Sequence, residues 1–192
     1  LVILEKKMIK EHTFNINEKT IAVLTSDIIW ENTEAIVNAA KSSLLGGGGV
    51  DGAIHKNAGP ELKEYCKNLE GCSPGNAKIT PGFNLQAKYI IHAVGPLYKD
   101  GKSGEKDTLR STYQTALSLA NENGIKSISF PSISTGHYNF PIDLAAEIAT
   151  ESVVEHLSGE TTLQLVKFVL YGGNFEKIYI DLINSHLRRL GG

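Results

Sequence analysis

Five short apolar runs recur along the chain, set apart by segments of helical periodicity and glycine-containing turns, and this alternation restricts the fold more than any other feature. Thr20–Thr25, Ala35–Asn38, Tyr89–Val94, Ser127–Pro131 and Leu163–Tyr171 are β-branched and apolar, as strands covered on both faces should be. Between them, Leu109, Tyr113, Leu117 and Ala120 fall at helical spacing. So do Ile142, Ala145, Ala149, Val153 and Leu157, behind a Pro141 suited to a helix start. Glu176–Leu190 reads as a closing helix before Gly191. Strands separated by helices need crossovers, and crossovers give a largely parallel sheet with helices on both sides. His12–Asn17 can pair with Thr20–Thr25 as an edge hairpin, which makes the sheet mixed. The expected architecture is α/β, a three-layer α/β/α sandwich around a mixed, mostly parallel sheet.

With 192 residues and 41% hydrophobic content, the chain can bury one substantial core without staples, and a single domain over residues 1–192 is expected. Lys99–Lys106 and Ser158–Thr162 are polar but short, so they read as surface loops and not as linkers. The 19 Lys and Arg against 21 Asp and Glu leave a formal charge of −2, which argues against a general grip on nucleic acid. A phosphate-bearing ligand therefore has to be held locally. Cys66 and Cys72 lack neighbouring histidines at zinc spacing and read as free thiols of a reducing compartment. No apolar run approaches the ~20 residues of a bilayer span, and no charged-then-apolar leader is visible. An intracellular, cytoplasmic protein without membrane contact is expected.

The stretch from Ala35 to His55 joins a strand to Gly46–Gly49 and then to a helix opening on Val50 and Asp51. Glycines there let backbone amides approach phosphate oxygens, and a helix start adds N–H groups that lack intrahelical partners. A flexible loop is the plainer account of four glycines, but their position before a helix favours an anion site. The spacing fits neither the dinucleotide fingerprint nor the Lys-Ser/Thr phosphate loop, so hydride transfer and nucleoside triphosphate hydrolysis are disfavoured. Ser132–Phe140 offers a second strand-to-helix turn with Ser134, Thr135, Gly136 and His137, and Tyr138 as an aromatic wall. With Ser26-Asp27-Ile28 and Lys41–Asp51, this loop lies at the carboxyl end of a strand, where such sheets bind ligands. Asp27 can either cap a turn or accept from an exocyclic amine such as adenine's. Asp51 and His55 share one helical face. A carboxylate beside a phosphate cradle repels the ligand, so Asp51 suits a role toward hydroxyls or water at the ligand's far end, although it also complements the helix dipole. His55 reads as a support for Asp51 and not as an independent base. His92 and His137 show no metal spacing.

Val37-Asn38-Ala39-Ala40, Gly46–Gly49, Val50–His55, Ala58-Gly59-Pro60, Gly71–Thr80, Tyr89–Pro96 and Phe130–Gly136, in that order, resemble the macrodomain family. Within it the chain is most similar to the MacroD-type branch of O-acetyl-ADP-ribose deacetylases and mono-ADP-ribosyl hydrolases, over about residues 20–180. The resemblance implies the same sandwich fold and ADP-ribose as ligand, free or attached to protein. It puts the adenine amine on Asp27 beside Ile28, with Phe175 or Tyr171 flanking the base. The diphosphate falls to Gly47, Gly48, Gly49 and Val50 together with Ser134, Thr135, Gly136 and His137. Asn38, Asp51 and Tyr138 surround the distal ribose.

The implied activity is hydrolysis of mono-ADP-ribosyl linkages to acidic residues or of O-acetyl-ADP-ribose, with Asp51 orienting or activating water. His55, Asn38 and position 41 complete the implied catalytic group. The family pattern has Asn ten residues before that Asp, and this chain has Lys41. A lysine only donates; it can pair with Asp51, add phosphate affinity, or point into solvent. A weak or inactive reader of ADP-ribose and ADP-ribosylated proteins is the alternative. Ser26 and Asn139 stand where the pattern has Gly, and Asn is the residue best able to take a positive φ in its place. No metal or cofactor is implied, and a monomer is expected.

Overall fold

The computed structural model describes residues 10–191. Residues 1–9 and Gly192, which the expected 1–192 domain includes, lie outside the described residues. Strands β1 (Glu11–Ile16), β2 (Lys19–Thr25), β3 (Ala35–Ala39), β4 (Ala77–Pro81), β5 (Tyr89–Ala93), β6 (Ser127–Phe130) and β7 (Leu165–Leu170) form one sheet in the order β1-β2-β7-β6-β3-β5-β4. The interior pairings are parallel, and the edge strands β1 and β4 run antiparallel to their neighbours. Helices α1 (Gly49–Ala58) and α2 (Pro60–Lys67) cover one face, and α3 (Glu105–Glu122), α4 (Ile142–Ser158) and α5 (Glu176–Leu190) cover the other. This is the three-layer α/β/α sandwich.

Successive side chains of a strand point to opposite faces, so each interior strand feeds two cores. Ile36 and Ile90 pack with Ile54, Ala58 and Leu62 on the α1/α2 side. Val37 and Ile91 pack with Leu109, Tyr113 and Ala149 on the other. Both faces being dry explains why the interior strands are continuously apolar. On the larger side the rings of Tyr113, Phe130, Phe168 and Tyr179 form a continuous aromatic row, with centroids 5.4, 6.4 and 5.0 Å apart in turn.

Two elements escaped the sequence reading, and one loop was misread. β4 is an edge strand with little buried surface that ends in Pro81, so it lacks the apolar run that marks the interior strands. α2 is a short helix beginning at Pro60, with too few buried residues to show a period. The Lys99–Lys106 loop ends earlier than expected, because α3 begins at Glu105. That glutamate is 4% exposed. Its carboxylate accepts the amides of Lys99, Asp100 and Gly101 on Oε1 and of Ser103 on Oε2, which folds the loop around its own anion.

β3 and β6 pair only through Ala35 with Ile128 and Ile36 with Ser129. Beyond those residues the chain leaves β3 toward β5 and leaves β6 toward β7, on opposite sides. The sheet opens at the carboxyl ends of these two strands, the topological switch point where such folds bind ligands.

Removing one of the two inner rings of the aromatic row, Phe168→Ala, is expected to cost about 3–5 kcal/mol of folding stability in denaturant titration, as for other buried Phe truncations. Hydrogen bonding from its own amide, opposed by desolvation and reinforced by the amides of Asp100, Lys99 and Ser103, holds the Glu105 carboxyl at about 2 against an ordinary 4.5. The Glu105 contribution is therefore complete above about pH 4.5 and is lost as pH falls through about 2. Glu105→Gln should remove that dependence and speed hydrogen exchange at residues 99–103.

Candidate functional site

Two loops flank the opening between β3 and β6. The first leaves β3, and the Ala40 amide donates to the Ala93 carbonyl at 3.0 Å. Leu44, fully buried at φ +60°, anchors it beneath α1. Gly46 and Gly49 take φ +86° and +57°, which side chains other than Asn and Asp rarely tolerate. α1 then starts on Gly48 without a side-chain cap. Inside that helix, a Cβ on Gly52 would stand 2.5 Å from the Gly47 carbonyl oxygen, so only glycine lets the loop fold back over the helix.

The second loop leaves β6 through Pro131 and Ser132. The Asn139 amide donates to the Gly136 carbonyl at 2.9 Å and the Phe140 amide to the Ser134 carbonyl at 3.0 Å. Ser134 and Asn139 have φ +66° and +53°, so Asn139 occupies the left-handed conformation that the glycine of the family pattern would supply. Gly95 supports the turn from below, since a Cβ there would lie 2.2 Å from Ser134 Oγ. Among the described residues, the amides of Gly46–Asp51 and of Ser134–Tyr138 donate to no protein acceptor. The two sets face the same opening.

Two joined cavities occupy it. The inner one, about 230 Å³, is lined by Lys41, Asp51, Gly95, Ser134, His137 and Tyr138 among others. The outer one, about 420 Å³, lies between Asp27 and Ile28 on one side and Tyr171 and Phe175 on the other. Gly49, Val50, Ser132 and Gly136 line both, so the undonated amides form the waist between them. Tyr171 is 75% exposed and stands at the rim. Asp27 Oδ1 accepts from the Ile29 amide at 3.2 Å, which caps the 3-10 turn Ile28–Trp30. The capping reading of Asp27 is therefore the geometry observed, and the residue also lines the outer cavity.

Asp51 enters the inner cavity from the first turn of α1 and is 3% exposed. Asn38 Nδ2 donates to its Oδ1 at 2.8 Å, while its Oδ2 has no protein partner. His55 Nε2 lies 3.6 Å from Oδ1, too far for a good hydrogen bond. Desolvation lowers the His55 pKa, with Asp51 opposing and Lys63 adding to the shift, so the ring backs Asp51 as a neutral group. Behind Asn38, the same amide nitrogen reaches His92 Nδ1 at 3.1 Å. His92 Nε2 in turn meets Thr80 Oγ1 at 3.0 Å. Burial, with a smaller effect of His55, pushes the His92 pKa down to about 3.

The sequence-derived residues are thus brought to one opening, with two adjustments. Asn38 has no exposed surface and stands behind Asp51, so it contacts the carboxylate and does not form part of the cavity wall. Its place on an interior strand, with both faces covered, is the reason. Lys41 neither pairs with Asp51 nor points away from the site. Above Gly47, a Cβ position would be 2.9 Å from Lys41 Nζ and 3.2 Å from Asp51 Oδ2, so ammonium and free carboxylate oxygen flank the same spot without forming an ion pair. Gly95 and Ser132 were not assigned from sequence, although each lies two residues beyond a strand end. Among the described residues, His55, Cys66 and His92 bring three donor atoms within 4.8 Å of one another, a convergence invisible in their spacing. Two of the three are poor ligands as they stand: Thr80 Oγ1 already meets His92 Nε2, and burial, with the Asp51 charge second, raises the Cys66 thiol to about 11 and so opposes the thiolate.

The chain is thus a mixed α/β/α sandwich with two banks of undonated amides at a split in its sheet. The Macro domain model matches residues 37–149, and the chain belongs to that family. It is 44% identical over 170 residues to O-acetyl-ADP-ribose deacetylase 1 of Pantoea vagans, covering 86% of this chain and 99% of that protein. An Oceanobacillus iheyensis macrodomain solved with ADP superposes with a TM-score of 0.89 at 40% identity, over 94% of this chain and 98% of that one. A Trypanosoma brucei macrodomain in complex with ADP-ribose gives 0.80 at 38% identity, over 85% and 68%.

Gly52→Ala provides a test with an unusual sign. Alanine in a helix interior ordinarily gains about 1 kcal/mol over glycine. Here thermal unfolding should show a loss of stability instead, because the new methyl meets a backbone carbonyl that cannot swing aside.

Proposed function

We propose that this chain binds ADP-ribose and hydrolyses its mono-ADP-ribosyl linkage to acidic residues, or the ester of O-acetyl-ADP-ribose. The observation that carries the reading is Asp51: a buried carboxylate with one oxygen gripped by Asn38 and the other unpartnered, beside a bank of free amides. A purely anion-binding site gains nothing from that charge, whereas water chemistry needs an acceptor there. The diphosphate is assigned to the waist, on Gly47–Val50 and Ser134–His137, where N–H groups and the α1 dipole favour negative charge. Adenine is assigned to the outer cavity, its amine on Asp27 beside Ile28 and its ring against Phe175 or Tyr171. The distal ribose then lies in the inner cavity between Asp51 and Tyr138. Asp51 Oδ2 orients a water and takes its proton as the water oxygen attacks the anomeric or ester carbon; the bond from that carbon to the leaving oxygen breaks, Asp51 passes the proton to that oxygen, and the carboxylic acid and ADP-ribose are released. The homologous deacetylase and the ADP-ribose complex support this assignment. Two free thiols suit a reducing, cytoplasmic setting.

The second reading is a reader without turnover. Lys41 favours it, since a cation that can only donate lines the inner cavity together with Asp51. Calorimetric titration with ADP-ribose, followed by release from mono-ADP-ribosylated protein and from O-acetyl-ADP-ribose, separates the two. The hydrolase reading expects turnover that Asp51→Ala lowers by about 10²-fold or more, with ADP-ribose affinity changed only a few-fold. Binding without turnover, and activity appearing only in Lys41→Asn, establishes the reader.

A further inference from the structure

The proton positions behind Asp51 follow from hydrogen-bond donors and acceptors alone. The Pro81 carbonyl can only accept, so the Thr80 hydroxyl, 3.0 Å from it, donates there. With its hydrogen so used, Thr80 Oγ1 meets His92 Nε2 at 3.0 Å as an acceptor, and Nε2 carries the imidazole hydrogen. A neutral imidazole has one N–H, so Nδ1 is bare and accepts from Asn38 Nδ2 at 3.1 Å. The second hydrogen of that nitrogen goes to Asp51 Oδ1 at 2.8 Å. All four side chains are buried, so bulk water does not substitute for a missing partner. Cys66 Sγ, 3.9 Å from Nε2, is only a weak additional acceptor for the same N–H.

A hydrogen on Nδ1 instead would reverse the chain. It would turn the Asn38 amide over and set Asn38 Oδ1 against Asp51 Oδ1, two acceptors at hydrogen-bonding distance. Asp51 would lose its grip and its aim.

We infer that Thr80 and His92 are positioning residues of this site: Thr80 selects the Nε2–H tautomer of His92, which orients Asn38 so that Asp51 is held through Oδ1 and keeps Oδ2 free of protein partners. The effect on turnover rests on the hydrolytic reading of Asp51, whereas the tautomer and the amide orientation do not.

The experiment uses the whole chain, labelled with nitrogen-15. Between pH 5 and 8 the His92 ring is expected to show a bare Nδ1 and a protonated Nε2, and the Asn38 side-chain amide protons to exchange slowly. Thr80→Val keeps the shape and removes the hydroxyl. It should mix the tautomers, speed Asn38 amide exchange and lower kcat about tenfold at unchanged KM, the scale of a misaimed catalytic group. Thr80→Ser should restore all three. His92→Asn, whose Oδ1 replaces Nδ1 as an acceptor, should retain about tenfold more kcat than His92→Leu. A protonated Nδ1 in the unmodified chain overturns the inference, and so do equal kcat values for Thr80→Val and Thr80→Ser or for His92→Asn and His92→Leu. If the unmodified chain has no turnover, the hydrolase reading fails, and the ring spectrum with the amide exchange decides the inference alone.

Discussion

β3 and β6 stay together for two residue pairs and then separate, and the rest of the site depends on that parting. Parallel strands in mid-sheet usually continue side by side until helices cover their ends. Here the chain leaves the two strands in opposite directions, so the loops that follow them face each other across a gap with no strand to fill it. Both loops are too tightly turned to satisfy their own amides internally. An exposed bank of N–H groups needs an acceptor, and at this place the available acceptor is water or an anionic ligand. The fold thus leaves these amides without protein acceptors before any side chain is considered.

Against that positive bank, a carboxylate in the first turn of α1 serves the helix and opposes the ligand. It complements the dipole, yet it stands next to the place where an anion is drawn. The structure resolves the tension by holding Asp51 away from the waist, at the inner end, with one oxygen hydrogen-bonded to a buried amide and a neutral histidine behind it. A charged histidine at that position would neutralise Asp51, and burial of His55 prevents it. The same low-dielectric surroundings keep His92 neutral, so the buried layer beneath the cavity is polar but uncharged apart from Asp51.

Membership of the Macro domain family accounts for the sheet, the glycine loop and the second turn, but not for every residue of this chain. Asn139 departs from the pattern harmlessly, because its backbone takes the left-handed conformation that Asn accommodates. Lys41 departs in a way that changes the electrostatics of the inner cavity. A cation close to Asp51 Oδ2 but not bonded to it alters what can share that space.

Local sequence was sufficient for the interior strands, the long helices and both binding loops, because each carries a signal of its own: an unbroken apolar run, a helical period, or glycines beside a helix start. It also singled out Asp51, a carboxylate in the first turn of a helix that follows four glycines. What it could not supply was anything that depends on juxtaposition. β4 and α2 have too little buried surface to leave a pattern, and the burial of Glu105 comes from a loop that wraps it. Asn38 moves from cavity wall to hidden support because it lies on a strand covered on both faces, and Thr80 joins Asp51 only through an antiparallel pairing that sets β4 beside β5. Residue type and spacing determined which groups could bind and react; the packing of strands distant in sequence decided which of them meet, which are dry, and which way their hydrogens point.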